Sequence, residues 1–507
     1  MTFQEIYRFL GRYLFYFSLI LLLPLSVSVF YDYFWEKDLP YLGSVSAFVI
    51  TTFVSGLLSL LFYKLGKKSP GTIHRKESIL LVGIIWFLTA AISSLPFLLS
   101  KTLENPLDAF FEAMSGLTTT GVTVMGPSTI APLVDPSSGE VLATGIEAVA
   151  KPLLFWRSFI QWLGGMGIVL LFIAILPALS MGGRLLFEAE VTGPSKESLK
   201  PRIQETASLL WKIYLGLTCS QLVLLLLTNP FLPFFDALTL SFSTISTGGF
   251  SIKNAGLTAY NSSSIEWITL LFMIFGSINF TLYFHCIKGK IYRVYEPEFF
   301  AFLSVLFIGG IAVSLSLLKT VPWQTALHTG FFQAISTQTS TGFSIVDETL
   351  WPFASQFLLI LLAFMGGMSG STSGGIKIAR FIIFFHLIAH KIETIFRPAT
   401  IRCLKIGKKE VSDKTALTVL IFLCIVILLT VIGSFLLILD GLDAMTAFTV
   451  IASMINNAGL SIASSTSDHS YAFLPPFSKL ISILWMALGR LEFFILLVFL
   501  VPSFWKK

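Results

Sequence analysis

The sequence predicts an all-α polytopic membrane protein. Of its 507 residues, 55% are hydrophobic and 12% are charged, and the mean hydropathy is +0.82, whereas an average soluble domain carries about 25% charged residues. Apolar runs of about 20 residues, the length that a helix needs to cross a bilayer, recur from end to end. Four shorter apolar segments between them share one pattern. These observations predict ten transmembrane helices, the last eight forming four pseudo-symmetric repeats of helix, pore loop and helix around a central pore.

The predicted spans follow from length and apolarity alone. They lie near residues 9–31, 41–63, 79–99, 153–178, 208–229, 265–287, 298–318, 355–389, 415–439 and 477–502. The first run is longer than the apolar part of a signal peptide and lacks a small-residue cleavage site, so it is interpreted as a helix that stays. An even number of spans places both termini on the same side.

The distribution of charge predicts the orientation. Lys and Arg collect at both ends and in alternate loops, for example at 64–76 and 391–414. Because short cytoplasmic loops are enriched in Lys and Arg, these segments are expected in the cytoplasm, as in a bacterial inner-membrane protein. The opposite loops are acidic, which fits either a solvated face or a surface that attracts cations.

The four short segments form an internal repeat, which is the most informative feature of the chain. They read MSGLTTTGVTV (114–124), FSTISTGGFSI (242–252), ISTQTSTGFSI (335–345) and ASMINNAGLSI (452–462). They align without a gap on Gly121, Gly249, Gly342 and Gly459. A serine precedes each glycine by six residues, at Ser115, Ser243, Ser336 and Ser453, and a hydroxyl residue follows two residues later, at Thr123, Ser251, Ser344 and Ser461.

Each short segment lies between two predicted spans, on the acidic side. The chain therefore divides into two N-terminal helices (1–76), pore repeat 1 (77–206), pore repeat 2 (207–297), pore repeat 3 with an intramembrane gate loop (298–414) and pore repeat 4 (415–507).

Re-entrant loops at membrane depth have a specific physical use. Lipid cannot hydrogen-bond exposed backbone, so such loops must be buried in protein or line a water-filled cavity. Any one glycine alone is explained by a turn or a helix cap. Four at matching positions predict loops that turn backbone carbonyls to a common channel, where carbonyl rings replace the hydration shell of K⁺.

At these residues the chain resembles the bacterial Trk/Ktr/HKT superfamily of potassium transporters, and most closely its TrkH-type potassium-uptake subunit. Besides the four loops, the resemblance includes WRSFIQWLGGMGIVLL (156–171), GGMSGSTSGGIKIAR (366–380) and GRLEFF (489–494), in that order, and it covers nearly the whole chain.

The resemblance implies a K⁺ selectivity filter in which the aligned glycines form the narrow ring. The implied ion-contacting residues are Thr119, Thr120, Gly121, Thr247, Gly248, Gly249, Ser340, Thr341, Gly342, Asn457, Ala458 and Gly459. Glycine in all four loops goes with potassium rather than sodium in this superfamily. Gly248 beside Gly249 leaves the register of loop 2 open by one residue, and Asn456-Asn457 departs from the Ser/Thr pattern, so the filter is not expected to be fourfold symmetric.

The resemblance also implies a gate below the filter. It is the glycine- and serine-rich stretch that interrupts the eighth span, with Gly366, Gly367, Gly370, Gly374 and Gly375, together with Arg490 in the last span. The alternatives are a mere helix kink for the glycines and, for Arg490, an internal ion pair with a partner such as Glu492. Lys377 and Arg380 fit either a gating role or anchoring at the inner membrane surface.

Other classes of protein fit the sequence less well. The four cysteines, Cys219, Cys286, Cys403 and Cys424, show no disulfide or zinc spacing. His386 and His390 would need further ligands to bind a metal, and no catalytic motif accompanies them, so the chain is not expected to be an enzyme. The stronger rival is a secondary symporter of K⁺ with H⁺ or Na⁺, although symporters commonly have two repeats rather than four.

The expected partners follow in part from what is absent. No nucleotide-binding motif is present, so nucleotide control must come from another chain, and no organic cofactor or nucleic acid is expected. The resemblance implies a cytosolic ring of Rossmann-like nucleotide-binding regulators and a homodimer in which each protomer holds its own pore.

Overall fold

A computed structural model describes most of the chain. The described residues are 3–35, 44–67, 74–135, 139–167, 203–397, 405–406, 409–460, 462 and 470–506. The second half of the predicted fourth span (153–178), part of the sequence motif at 156–171 and Ser461 lie outside them.

Helices dominate the described chain, which confirms the predicted all-α class. They run over Phe3–Ile20, Leu22–Phe30, Ser44–Leu65, Arg75–Leu99, Pro106–Leu117, Lys151–Gly165, Ile203–Thr228, Phe234–Ile245, Ser263–Ser277, Phe280–Ile287, Pro297–Leu317, Trp323–Gln338, Phe353–Met365, Ile378–Phe396, Asp413–Leu439, Ala444–Asn456, Pro476–Arg490, Phe494–Leu497 and Pro502–Trp505. Short 3₁₀ turns cover Gly145–Ala148, Gly256–Tyr260, Ile291–Val294, Glu348–Leu350 and Val498–Leu500, and a π-helical turn covers Tyr31–Trp35.

Two small antiparallel hairpins complete the secondary structure. Leu133–Val134 pairs with Val141–Ala143, and Lys405–Ile406 pairs with Lys409–Glu410. Leu133 and Ala143 of the first hairpin pack against the helical core.

Each of the four short apolar segments contains a helix that is too short to cross a bilayer. We call these helices pore helices 1 to 4: Pro106–Leu117, Phe234–Ile245, Trp323–Gln338 and Ala444–Asn456. The loop that follows each one carries an aligned glycine and is numbered in the same way, as loops 1 to 4.

Local sequence explains where pore helices 1 and 4 begin. Pro106 fits the first turn, where no backbone N–H is needed, and the Asn105 side chain accepts a hydrogen bond from the backbone N–H of Leu107. Asp443 accepts from the N–H groups of Met445 and Thr446 at the start of pore helix 4. Hydrogen bonds from the side chain and backbone of Thr446 hold the pKa of Asp443 below its usual value.

The four repeats close into a ring. The helix before each pore helix packs on it; these first helices are Arg75–Leu99, Ile203–Thr228, Pro297–Leu317 and Asp413–Leu439. The helix after it packs both on that pore helix and on the next one around the ring; these second helices are Lys151–Gly165, Ser263–Ser277, Phe353–Met365 and Pro476–Arg490. The second helix of repeat 4, Pro476–Arg490, packs on pore helix 1. The pore helices and their loops therefore surround one axis.

The helices Phe3–Ile20 and Ser44–Leu65 lie outside this ring. They pack on each other and on Arg75–Leu99. Their outer faces, like that of Asp413–Leu439, expose large apolar side chains such as Phe53 and Val431. Apolar exposure of this extent is typical of helices that face lipid.

The number of membrane-crossing helices is less simple than the predicted ten. In the described part of the chain, six helices are long and apolar enough to cross a bilayer, or up to eight if two bent pairs are each one span. The predicted eighth span (355–389) is two helices, Phe353–Met365 and Ile378–Phe396, separated by the glycine-rich stretch. The total of ten stays a prediction.

Two of the predicted spans, 265–287 and 477–502, are bent. The first turns by 94° between Ser277 and Phe280, and the second by 113° between Arg490 and Phe494. At the first bend the Asn279 side chain accepts from the N–H of Thr281 and begins a new helix. At the second, Glu492 and Phe493 have positive φ angles, which no α-helix contains.

Candidate functional site

All four pore helices end in the same backbone motif. The residue two before the aligned glycine has a positive φ and donates its N–H three residues back, and the following residue donates five residues back, as in a Schellman motif. Donor–acceptor distances for these bonds range from 2.9 to 3.3 Å. The positive-φ residues are Thr119, Thr247, Ser340 and Asn457, with φ from 48° to 56°.

Glycine or asparagine usually fills this position, so threonine there is unusual. A β-branched residue with a positive φ is a genuine outlier, and such conformations cost roughly 1–3 kcal/mol each and cluster at functional sites. Threonine takes this conformation in loops 1 and 2 and serine in loop 3. The chain therefore holds the three loops in a strained shape that their neighbours must stabilise.

The aligned glycines form a ring of close backbone contacts. Each has a positive φ, between 59° and 84°. A Cβ on Gly121 would overlap the carbonyl oxygen of Gly248, and one on Gly249 would overlap that of Thr341. A Cβ on Gly342 would lie 2.8 Å from the oxygen of Ala458.

The fourth contact closes the ring, because a Cβ on Gly459 would lie 2.6 Å from the carbonyl oxygen of Thr120. Each glycine thus faces the carbonyl that precedes the glycine of the next loop. Glycine is required at these four positions for two reasons: the φ angle is positive, and the next loop lies too close for a side chain. A carbonyl oxygen consequently lies at each of the four contacts between neighbouring loops.

The register of loop 2, which the sequence left open, is defined by this ring. Gly249 has a φ of 74° and occupies the ring, whereas Gly248 is not among the residues with positive φ. Gly248 precedes the ring glycine, as Thr120, Thr341 and Ala458 do in the other loops. Asn457 takes the same left-handed position as Thr119, so the Asn pair does not shift loop 4.

The serine six residues before the glycine joins pore helix to loop in three of the four repeats. Ser115 Oγ donates to Val122 O at 2.5 Å and Ser336 Oγ donates to Phe343 O at 2.7 Å. Ser453 Oγ accepts from the N–H of Leu460 at 2.9 Å. All three partners immediately follow the ring glycine. The serine therefore fixes the chain just beyond the ring.

We expect Ser336→Ala to lower the stability of the protein by about 1 kcal/mol, because it leaves a buried carbonyl without its hydroxyl partner. Ser243→Ala is the matched control, since the Ser243 hydroxyl has no hydrogen-bond partner among the described residues. Thermal unfolding of the two purified variants in detergent measures the difference. An equal shift in both would contradict the role of the serine.

A cavity of about 260 Å³ lies on one side of the ring and reaches all four glycines. Its wall includes Thr123, Ser251 and Ser344, the hydroxyl residues that follow the glycines, and the charged residues Arg157, Lys253 and Asp347. Asp347 is thus the one acidic residue in its described wall.

The glycine-rich stretch lies against the other side of the ring. We call residues 366–377, between the two helices of the eighth predicted span, the interrupting loop. Thr372 Oγ1 donates to Ile245 O, at the end of pore helix 2, at 3.0 Å. The N–H of Gly374 donates to Ser340 Oγ in loop 3 at 2.5 Å, and the N–H of Gly375 donates to Asn456 O at 2.9 Å.

Glycines allow this close packing. Gly366, Gly370 and Gly375 have positive φ angles of 66–74°. A Cβ on Gly374 would overlap the carbonyl oxygen of Asn456, and one on Gly367 would lie 2.8 Å from Ser373 Cβ. The glycines therefore do more than kink a helix, because they let the interrupting loop pack directly on the ends of pore helices 2 and 4 and on loop 3.

Arg490 holds the interrupting loop to loop 1. Its Nη1 donates to Thr372 O at 3.1 Å and to Thr119 Oγ1 at 3.2 Å, and its Nη2 donates to Gly164 O at 2.6 Å and Gly165 O at 2.7 Å. Arg490 is the last residue of its helix, and its guanidinium donates to three carbonyl oxygens. The guanidinium lies on the same side of the glycines as the interrupting loop.

The alternative of an ion pair between Arg490 and Glu492 is not observed. Glu492 instead pairs with Arg380 at 2.8 Å, and the Arg380 guanidinium lies 3.9 Å from the centre of the Phe422 ring. Lys377 is also buried, and its ammonium donates to Ser373 O. Lys377 and Arg380 are therefore packed inside the protein and are not anchors at a membrane surface.

The sequence prediction assigned no role to three buried polar residues beside loops 1 and 2: Glu112, Arg157 and Gln161. Arg157 and Gln161 lie within the motif at 156–171. A charged residue in an apolar helix was the signal that could have identified Arg157. Among the described residues, no group of three or more His, Cys, Asp or Glu side chains is placed to hold a metal ion.

Comparisons with known proteins agree with this architecture. A model of the TrkH family, described as a cation transport protein, matches residues 45–507. The chain is 34% identical to the "Trk system potassium uptake protein TrkH" of Halomonas elongata and 32% identical to that of Escherichia coli K12, each over the whole of both proteins. The crystal structure of the potassium transporter TrkH from Vibrio parahaemolyticus superposes with a TM-score of 0.82 at 32% identity, over all of both chains. The chain therefore belongs to the TrkH family of cation transport proteins.

Proposed function

We propose that this protein takes up K⁺ across the bacterial cytoplasmic membrane through a conduit at the centre of the ring. The observation that carries the proposal is the closed cycle of glycine-to-carbonyl contacts among the four loops. The relatives named as potassium uptake proteins support K⁺ as the transported ion.

In this proposal the loops form a selectivity filter of backbone carbonyls. The filter residues are those named from the sequence, Thr119–Gly121, Thr247–Gly249, Ser340–Gly342 and Asn457–Gly459. Carbonyl oxygens replace the water around a dehydrated K⁺. The pore helices also point their C-terminal ends at the ring, and the negative end of a helix dipole favours a cation.

The interrupting loop and Arg490 form the gate. The loop touches the ends of pore helices 2 and 4 and loop 3, while Arg490 joins it to loop 1. A cation that leaves the ring on this side meets the loop and a positive charge. The loop must move, or Arg490 must release it, before ions pass.

Partners belong to the same proposal. The names of the relatives refer to a Trk system, which favours an assembly with further subunits. We infer a homodimer with one pore per protomer and a cytosolic, Rossmann-like nucleotide-binding subunit that controls the gate. Both termini and the basic loops face the cytoplasm in this arrangement.

The test is ion flux into proteoliposomes that contain only the purified protein. With a K⁺ gradient and external K⁺, Rb⁺, Na⁺ or Li⁺ in competition, we expect passive flux that favours K⁺ and Rb⁺. Flux that requires a gradient of H⁺ or Na⁺ would establish the alternative, an ion-coupled symporter. Equal flux of all four ions would contradict a K⁺-selective filter.

A further inference from the structure

The helix Lys151–Gly165 presents two polar side chains to the loops of neighbouring repeats. Arg157 and Gln161 are one helical turn apart and therefore share a face. Their exposed fractions are 1% and 0%. Burying a guanidinium or an amide is costly unless its hydrogen bonds are satisfied, so the partners of these two residues indicate what they do.

Gln161 holds loop 2 on both sides of its ring glycine. Its Nε2 donates to the carbonyl oxygen of Gly248 at 2.8 Å, and its Oε1 accepts from the N–H of Phe250 at 3.2 Å. One amide therefore fixes the residue before Gly249 and the residue after it. The carbonyl of Gly248 is also the one that faces Gly121 across the ring.

Gln161 also explains why loop 2 has a glycine, Gly248, directly before its ring glycine. A Cβ on Gly248 would lie 2.6 Å from Gln161 Cδ, closer than real Cβ atoms approach. The corresponding residues of the other loops, Thr120, Thr341 and Ala458, carry side chains. Gly248 thus makes room for the amide that orients its own carbonyl.

Arg157 connects loop 2 to loop 1. Its Nη1 donates to Ser251 O at 2.6 Å, and its guanidinium lies 3.6 Å from the centre of the Phe250 ring. Its Nε donates to Glu112 Oε1 at 2.6 Å, and both residues of this ion pair are buried. Arg157 is therefore fixed on one side by loop 2 and on the other by pore helix 1.

Glu112 in turn binds loop 1. Its carboxylate accepts from Thr123 Oγ1 at 2.9 Å and from the N–H of Val124 at 2.9 Å. Gln333 occupies the same position in pore helix 3 and contacts Ser344 Oγ and the N–H of Ile345. Pore helices 2 and 4 have the apolar Leu240 and Val450 there.

Loop 2 therefore lacks the contact from its own pore helix that loops 1 and 3 have, and the second helix of repeat 1 supplies the replacement. We propose that Gln161 and Arg157, with Glu112, are positioning residues that set the preference for K⁺ over Na⁺. This inference rests on the proposed filter. Ions of equal charge and slightly different radius are told apart only if the carbonyls stay in place, which requires a supporting shell of locked side chains.

The test compares Gln161→Met with the parent protein in the proteoliposome assay. Met has a similar length but makes no comparable hydrogen bonds, so the Gly248 carbonyl loses its support. We expect the K⁺ over Na⁺ preference to fall at least about fivefold, the equivalent of one lost hydrogen bond. The readout is the ratio of K⁺ to Na⁺ uptake, because a loss of folded protein lowers both rates equally and leaves their ratio unchanged.

Two further variants sharpen the test. Ser158→Ala is the matched control on the same helix, because the buried Ser158 hydroxyl has no partner among the described residues; its preference should equal that of the parent. Gln161→Glu keeps the acceptor for Phe250 and removes the donor to Gly248, and it serves if Gln161→Met does not fold. It should shift the preference in the same direction.

Arg157→Lys provides a graded third measurement. Lys keeps the charge but lacks the planar fork that reaches Glu112 and Ser251 together, so we expect a preference between those of the parent and Gln161→Met. Gly121→Ser, measured in parallel, separates the two proposals. If it loses preference while Gln161→Met and Gln161→Glu keep theirs, the positioning role is overturned and the filter stands. If Gly121→Ser and both Gln161 variants all keep the parental preference for K⁺, the filter itself is overturned.

Discussion

Gly121→Ser is expected to lower the preference for K⁺ over Na⁺ about tenfold or more, which corresponds to ~1.4 kcal/mol. The Cβ of the serine would overlap the carbonyl oxygen of Gly248, so loop 2 must move away from loop 1. Gly121 also has a φ of 81°, which a side chain resists. The ring of carbonyls then widens on one side and fits K⁺ less well.

The measurement is competition between K⁺ and Na⁺ for uptake into proteoliposomes. Gly441→Ser is the matched control, because Gly441 also has a positive φ but a Cβ there would contact nothing within 4 Å. It carries the conformational cost without disturbing the ring and should keep the parental preference. An unchanged preference in Gly121→Ser would remove Gly121 from the filter.

Arg490→Ala is expected to raise K⁺ flux about tenfold without changing ion preference. Arg490 donates hydrogen bonds to three carbonyl oxygens and to Thr119 Oγ1, and a hydrogen bond from a charged group contributes about 1.5–3 kcal/mol. Losing the bond to Thr372 O releases the interrupting loop, and each ~1.4 kcal/mol changes the ratio of closed to open forms tenfold.

Arg490→Lys distinguishes charge from hydrogen bonding. Lys keeps the positive charge but cannot reach the same set of carbonyls at once. Flux like that of Arg490→Ala would show that the hydrogen bonds close the conduit, and flux like that of the parent would show that the charge does. A change of ion preference in Arg490→Ala with no gain in flux would contradict the gate.

The four loops are equivalent in backbone but not in what holds them. Gln161 and Arg157 support loop 2, Gln333 supports loop 3, and Tyr471 contacts loop 4 through a hydrogen bond from its hydroxyl to Leu460 O at 2.6 Å. The four aligned segments alone do not reveal this, because Gln333 lies just before its segment and the other supporting residues lie elsewhere in the chain. It agrees with the expectation that the site is not fourfold symmetric.

Some features could not be predicted because only tertiary contacts produce them. The apolar run at 265–287 reads as one helix, yet Ser277 O accepts from Met368 N and Phe280 N donates to Gly370 O. The interrupting loop thus satisfies the backbone groups that the bend releases, and a bend in the membrane is tolerable only with such partners. Glu492 likewise pairs with Arg380, 112 residues away in the chain.

The sequence by itself determined the membrane class, the four repeats and the alignment of their glycines. Those properties depend on apolar periodicity and on backbone conformations that few residues other than glycine adopt, and both are local. Only the tertiary structure decided the register of loop 2, the bends and the partners of Arg490, Arg157 and Gln161. A polar side chain buried in a membrane protein must find a partner, but which partner it finds depends on how distant segments pack.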